Sequence, residues 1–280
     1  MRLPSGSEEL GREAGSSWFS LRRQPWWGRH AAGGGERGRV ASRERRGRAE
    51  SGHEIWSSRA ATEWKLGGMA RWHTSEGKFV GWAHLPNGAK SLAQAIARKG
   101  WGRYPREPWI PFAARKALDG ILGPESVVWE VGAGYSTLWL ADRVRHVTSI
   151  EADREWHARL TAILTAEKKT NVDLHYEWVA DRMADFPGVA DGTLDLLYVD
   201  GGPRGRCLAN GFRKVKAGGY VYLDNWDTKA FWGEAADFPA RHAGEIAESR
   251  SFIDYVPAQF GVYEGLLLRK AGGRTDGRNS

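Results

Sequence analysis

Glu130-Val131-Gly132-Ala133-Gly134-Tyr135-Ser136-Thr137 is the stretch on which the reading of this chain turns. Residues 127–131 form a short apolar run of strand type and residues 136–143 have helical spacing, so the two glycines sit at a strand-to-helix turn. Glycine there lets the backbone turn sharply and approach a ligand, while the first N–H groups of the helix stay free for a carboxylate or phosphate. The same pair also suits a tight turn that binds nothing. Glu151 adds a second feature. It lies 19 residues after Gly132, at the end of the next apolar run, 147–151. An acidic side chain at that place can accept hydrogen bonds from both hydroxyls of a ribose.

Outward from this motif the chain alternates strand and helix. Residues 154–167 read as a long helix, and 172–176, 194–199 and 220–223 as three further strands, apolar on both faces as in a parallel sheet covered by helices. Two more strand-like runs, 252–256 and 263–269, are separated by Pro257-Ala258-Gln259-Phe260-Gly261, a loop suited to a hairpin rather than a helical crossover. The predicted fold is therefore α/β: a Rossmann-like, doubly wound sheet of seven strands, mostly parallel, with a C-terminal antiparallel hairpin. Upstream, a helical pattern begins at Ser91, and Pro108-Trp109-Ile110-Pro111-Phe112 leads into a second helix that Gly123-Pro124 stops near Leu122.

The totals set limits. With Cys207 as the single cysteine, neither an intramolecular disulfide nor a cysteine-based metal site can form, and a reducing, cytoplasmic location is expected. No run approaches the ~18–20 apolar residues of a spanning helix, so no membrane partner is expected. The net charge of +7 is uneven: residues 1–68 carry 13 basic and 8 acidic side chains, whereas 69–280 carry 28 and 26. A nucleic-acid partner is therefore not expected of the folded part. Residues 1–68, with Gly33-Gly34-Gly35 and Arg43-Glu44-Arg45-Arg46-Gly47-Arg48, lack a sustained period and read as a disordered extension. The composition shifts at Met69, which favours an over-extended reading frame upstream over a targeting peptide or a basic nucleic-acid-binding arm. The expected organisation is an extension at 1–68, a helical lead-in at 69–107, the α/β domain at 108–270 and a disordered tail at 271–280.

Two cofactor classes share a glycine turn followed by a distant acid. Nicotinamide binders carry a third glycine where Thr137 stands, and Glu130 can hydrogen-bond an ammonium group but would oppose a pyrophosphate. Both points favour S-adenosylmethionine over a dinucleotide. Pro108-Trp109, the 130–137 stretch, Ser149-Ile150-Glu151-Ala152-Asp153-Arg154-Glu155-Trp156, Val199-Asp200-Gly201 and the run Gly218-Gly219-Tyr220-Val221-Tyr222-Leu223-Asp224-Asn225 follow one another in order. In these residues the region from Trp109 to Arg269 resembles a bacterial branch of the class I S-adenosylmethionine-dependent methyltransferases. The resemblance implies that Glu130, Gly132, Gly134 and Ser136 hold the methionine end and Glu151 the ribose. It further implies that Asp181 lies beside the adenine and that Asp200, the candidate catalytic residue, lies beside the methyl sulfonium. Gly132→Val is then expected to remove binding by filling the ligand's space.

Asp200 should end the fourth strand and Asp224-Asn225 the fifth, over one edge of the sheet. Metal-dependent O-methyltransferases use such an Asp, Asp-Asn set for magnesium. Here Pro203 stands where those enzymes carry a lysine, so the reading without Mg2+ is preferred, with Asp224 and Asn225 capping the loop. The leading expectation is methylation of a small-molecule or glycan hydroxyl. N-methylation is the weaker alternative, because Asp200-Gly201-Gly202-Pro203 replaces the Asn/Asp-Pro-Pro-aromatic motif of amino methyltransferases. A cofactor-binding regulatory or RNA-associated module with a basic N-terminal arm is the other. His146, His157 and His175 read as packing or surface residues, Cys207 as a small buried hydrophobe, and Trp226 and Trp232 as core rather than acceptor wall.

Overall fold

The computed structural model describes residues 71–272, so the extension at 1–68 and nearly all of the tail at 271–280 lie outside the described residues. Each apolar run of the α/β pattern is a strand: β1 (Val127–Val131), β2 (His146–Glu151), β3 (Val172–Tyr176), β4 (Leu194–Val199) and β5 (Val215–Leu223), followed by β6 (Ile246–Tyr255) and β7 (Val262–Lys270). They form one seven-stranded sheet of order β3-β2-β1-β4-β5-β7-β6. The pairs among β1 to β5 are parallel, whereas β7 runs antiparallel to both β5 and β6. The chain steps outward from β1 to β3, then returns to the other side of β1 with β4. Loops after β1 and β4 therefore diverge over the same sheet edge, the crevice where doubly wound sheets hold ligands.

Alternate strand residues supply the two apolar layers, as a period of two requires. Val128, Leu196, Tyr198, Tyr222 and Leu267 pack under α2 (Phe112–Asp119) and α3 (Tyr135–Ala141), through Ala114, Leu118, Trp139 and Leu140. Trp129, Val131, Leu197, Val199 and Leu223 face α6 (Arg204–Gly211), through Cys207 and Leu208. Between them, α4 (Arg154–Ala166) buries Leu160 and Leu164 against Leu138 of α3, and the short α5 (Ala180–Met183) seats Met183 in the second layer. A last short helix, α7 (Phe238–Arg241), precedes β6. Among the described residues no helix is long and apolar enough to cross a membrane.

Three elements are longer than their sequence signals. Helix α1 (Leu85–Trp101) starts six residues before the pattern at Ser91 suggests, because Pro86 occupies its first turn, where the missing N–H costs nothing. Strand β5 begins at Val215, with a register shift opposite β4 that absorbs Gly218 and Gly219. Strand β6 begins at Ile246. It is the sheet edge, its first half is exposed and charged, and such a segment carries no apolar alternation to read.

The lead-in packs onto the end of the sheet through buried polar joints. Asp254, fully buried on β6, accepts from Asn87 Nδ2 at 2.8 Å and from the Ala113 N–H at 3.0 Å, and lies 3.0 Å from His84 Nδ1. Ser91 clamps the β6–β7 hairpin: its hydroxyl donates to the Val256 carbonyl at 2.6 Å and accepts from the Phe260 N–H at 2.9 Å. Ala258 and Phe260 in that hairpin hold positive φ of 58° and 51°, a strained conformation that Ser91 and Gln94 pin from outside. Ser91→Ala is expected to lower unfolding free energy by about 1–3 kcal/mol, since it leaves a buried carbonyl and N–H unpaired. Urea denaturation checks this, and a change below the error of the fit refutes the clamp.

Candidate functional site

The site begins where the ends of β1 and β4 touch. Gly132 has φ +94°, and a Cβ added there would come within 2.9 Å of the Asp200 carbonyl carbon and the Gly201 nitrogen. A Cβ on Gly201 would meet the Gly132 Cα at 2.8 Å. Gly132 is thus glycine because of its own chain, and Gly132→Val strikes the backbone rather than the ligand space. At Gly134 the opposite holds. Its backbone is extended, and an added Cβ would meet nothing closer than Ser136 Oγ at 3.7 Å. Gly134 is the position at which the loop leaves room for something outside the chain.

Beneath this loop lies Glu130, a fully buried carboxylate on β1. Its Oε2 accepts from Thr137 Oγ1 and Ser149 Oγ, while Oε1 is buried without a hydrogen bond of full geometry, the Ser136 hydroxyl lying near the carboxylate. Thr137 Oγ1 also accepts from the Gly134 N–H at 2.9 Å, so the residue replacing a third glycine ties the loop to the carboxylate. Burial pushes the Glu130 carboxyl up to about 7, against the pull of the Ser136, Ser149 and Thr137 hydroxyls. Ser149 escapes a motif reading because it lies inside β2, one strand over from its partner. Glu151 ends β2 half-buried and accepts from the Asp153 N–H at 2.7 Å. Burial raises it too to about 7. Asp181 stands apart: its side chain is exposed on α5 and pairs with Arg206 of α6.

Asp200, Asp224 and Asn225 do converge, but around a guanidinium. Arg204, buried at the start of α6, donates from Nη2 to the Asp200 carbonyl at 2.8 Å, to Asp200 Oδ1 at 3.2 Å and to Asn225 Oδ1 at 3.1 Å. Its Nη1 donates to the Asp224 carbonyl, and Phe231 and Trp232 cover it with ring centroids 5.1 and 5.9 Å from Cζ. Asp224, more deeply buried, accepts from Tyr222 Oη at 3.0 Å. Burial and the neighbouring Asp200 raise its carboxyl well above the usual range, while Asp200 is raised to about 6, by burial first and with Arg204 opposing. The fixed cation already takes Asp200 Oδ1 and Asn225 Oδ1, the oxygens a divalent ion would need, and Asp224 is turned to Tyr222, so the set fits a divalent ion poorly. No cluster of three or more His, Cys, Asp or Glu among the described residues is arranged to hold a metal. Trp226 and Trp232 pack on each other with centroids 5.0 Å apart and are buried, as core residues.

Residues 129–226, from the first strand to the loop after the fifth, match a family model described as a methyltransferase domain. No curated protein matches the sequence. Among solved structures, the O-methyltransferase TomG of Streptomyces achromogenes, crystallised with S-adenosylmethionine, is 18% identical with a TM-score of 0.49, covering 73% of this chain and 99% of that one. An rRNA methylase from Streptococcus thermophilus is 12% identical with a TM-score of 0.47, covering 57% and 95%. The cofactor-bound Rv0187 of MTB is 20% identical with a TM-score of 0.46, covering 65% and 90%.

The two glycines give opposite expectations. Gly134→Val should keep the folded melting profile and lose S-adenosylmethionine affinity by more than about tenfold, whereas Gly132→Val should lower the melting temperature itself. Calorimetric titration of both variants checks this, and undiminished affinity in folded Gly134→Val refutes the loop assignment. A pH series adds a test. With Glu130 and Glu151 raised from 4.5 to about 7, ionising them costs stability that is absent below about 4.5 and fully felt above about 7. A ligand that pairs with the ionised carboxylates should therefore bind best above about 7 and progressively weaker toward 4.5. Glu151→Gln should flatten part of that slope.

Proposed function

With residues 129–226 matching a methyltransferase domain as premise, we propose that this chain methylates a hydroxyl of a small molecule or glycan without a divalent metal. The observation that carries the reading is the buried Glu130 oxygen without a full hydrogen bond, below a loop with open space at Gly134. A buried acceptor short of a donor is costly, and the ammonium of a methionine-type ligand supplies one. Glu151 would take the ribose hydroxyls, and the first turn of α3, with Ser136, would face the carboxylate. Bound there, S-adenosylmethionine offers an electrophilic methyl on a sulfonium whose sulfur leaves neutral, so no acid is needed for departure.

What remains is to align and deprotonate the acceptor. Asp200, at about 6, is mostly ionised at neutral pH and a quarter exposed, so it can accept the acceptor's hydroxyl proton as the oxygen–carbon bond forms. Arg204 fixes the carboxylate at one oxygen and stays protonated throughout. Asp224, whose carboxyl burial and the neighbouring Asp200 push well above the usual range, is held by Tyr222 and resists placing a second negative charge beside Asp200. These are positioning residues. Asp181, exposed and paired with Arg206, is kept as an adenine-side candidate only through the sequence resemblance.

Turnover with a panel of hydroxylated small molecules, amines and RNA, followed by transfer of labelled methyl, tests the reading. The expected result is labelling of a hydroxyl oxygen, unchanged by chelator, with a rate that rises through about pH 6 and then levels. Asp200→Asn should cut kcat by about 10²–10⁴ while shifting cofactor affinity much less. Activity abolished by chelator and restored by magnesium would overturn the metal-free mechanism, and methyl transfer to amines alone would overturn the hydroxyl assignment.

A further inference from the structure

Among the described residues the exposed apolar surface is concentrated in one stretch of chain. Of ten exposed large hydrophobic side chains there, eight lie between Trp72 and Tyr104, on α1 and the segments just before and after it. Leu85, Ala89, Leu92 and Ile96 are spaced by four, three and four residues, which stacks them into one stripe along α1 about 16 Å long. The buried face beside it, Gly88, Ser91 and Ala95, already packs on the β6–β7 hairpin, so the stripe is not core. Trp82, 74% exposed, precedes α1 and Trp101, 70% exposed, ends it. Basic side chains border it: Arg71 and Lys99 line the same shallow hollow as Leu92, Ile96 and Phe260.

Charge decides what can cover this face. Residues 71–118 hold nine Lys or Arg against two Asp or Glu, and α1 holds no acid at all. Arg98 and Lys99 have no acidic partner among the described residues. A second copy would bring an equally basic face against this one, at an electrostatic cost. Stacking on nucleic-acid bases would need rings along the stripe, and Leu85, Ala89, Leu92 and Ile96 offer none; the exposed rings of Trp72, Phe79, Trp82, Trp101 and Tyr104 lie outside it. A helix with an aliphatic face, a tryptophan before it and one at its end, and basic flanks suits the boundary between headgroups and acyl chains of an anionic bilayer. We propose that α1 with the preceding turn is a membrane-surface docking face, which seats the protein on anionic lipid with the stripe in the acyl boundary and the basic side chains among headgroups. That no helix among the described residues is long and apolar enough to cross a membrane does not bear on this, since lying on the surface needs no long apolar run.

The proposal is independent of the methyl-transfer reading. Cosedimentation of the full chain with vesicles of phosphatidylglycerol and phosphatidylcholine, against phosphatidylcholine alone, tests it at low and high salt. Binding is expected to the anionic vesicles only, and to weaken with salt. The double variant Leu92→Glu/Ile96→Glu should lose at least about tenfold of that partitioning, because charge enters the acyl boundary, while keeping its melting temperature and its S-adenosylmethionine affinity. Leu92→Gln/Ile96→Gln, which adds no charge, should show a smaller loss in the same direction. Full retention of vesicle binding by both variants overturns the proposal, since the basic N-terminal segment would then account for it. A dimer in sedimentation velocity that the same variants dissolve overturns it in favour of a second copy.

Discussion

The close approach of Gly132 to Gly201 is the constraint on which the site depends. Parallel strands β1 and β4 are neighbours, yet the chain between them winds out to β3 and back, so their following loops part in opposite directions. The loops can separate only after the backbones have nearly touched, and no side chain fits between them. That contact aims the 132–137 loop over one side of the crevice and Asp200 over the other. It also explains why the first glycine of the motif is required by the chain's own backbone while the second is not, a division that the spacing of the two letters does not carry.

The far side of the crevice is organised by Arg204. One buried guanidinium joins two carbonyls, a carboxylate and an amide, drawn from the ends of β4 and β5. A buried cation is costly unless its hydrogen bonds are filled, and here four acceptors and two aromatic faces fill them. Asn225 adopts positive φ to place its amide oxygen there, a backbone conformation that asparagine reaches more readily than most residues. The arrangement holds the ends of β4 and β5 together through a positive charge that belongs to the chain itself.

Much of this was legible in the sequence, for identifiable reasons. The strands β1 and β4 are buried on both faces, β2 is half buried and β3, at the sheet edge, buries none of its residues, against the expectation of apolar burial on both faces; the apolar runs still mark the limits of all four to within a residue. The hairpin followed from the shortness of 257–261. What the sequence concealed were relations across elements. Ser149 serves Glu130 from another strand, and Arg204 reaches from a helix to two strand ends. The lead-in is joined to β6 through His84, Asn87 and Asp254. None has a characteristic spacing, because each is fixed by topology rather than by local chain geometry. For Asp181 the motif supplied a position but not the partner its exposed side chain finds, Arg206 of the next helix.

The charge distribution joins the two halves of the crevice. Four carboxyls, Glu130, Glu151, Asp200 and Asp224, lie along one sheet edge, and burial raises every one of them. Only the Asp200 and Asp224 side has a buried cation of its own; the Glu130 and Glu151 side has hydroxyls and backbone N–H groups but no positive charge in contact. The folded protein therefore carries an uncompensated acidic half, whose cost grows as pH rises from 4.5 through about 7. A neutral or anionic ligand would leave that cost in place. A ligand bearing ammonium and sulfonium charges removes it, so the same burial that weakens the empty fold sharpens its preference for a cation. On this argument selectivity at the Glu130 side rests on desolvation, whereas on the Arg204 side the compensating cation is already part of the chain.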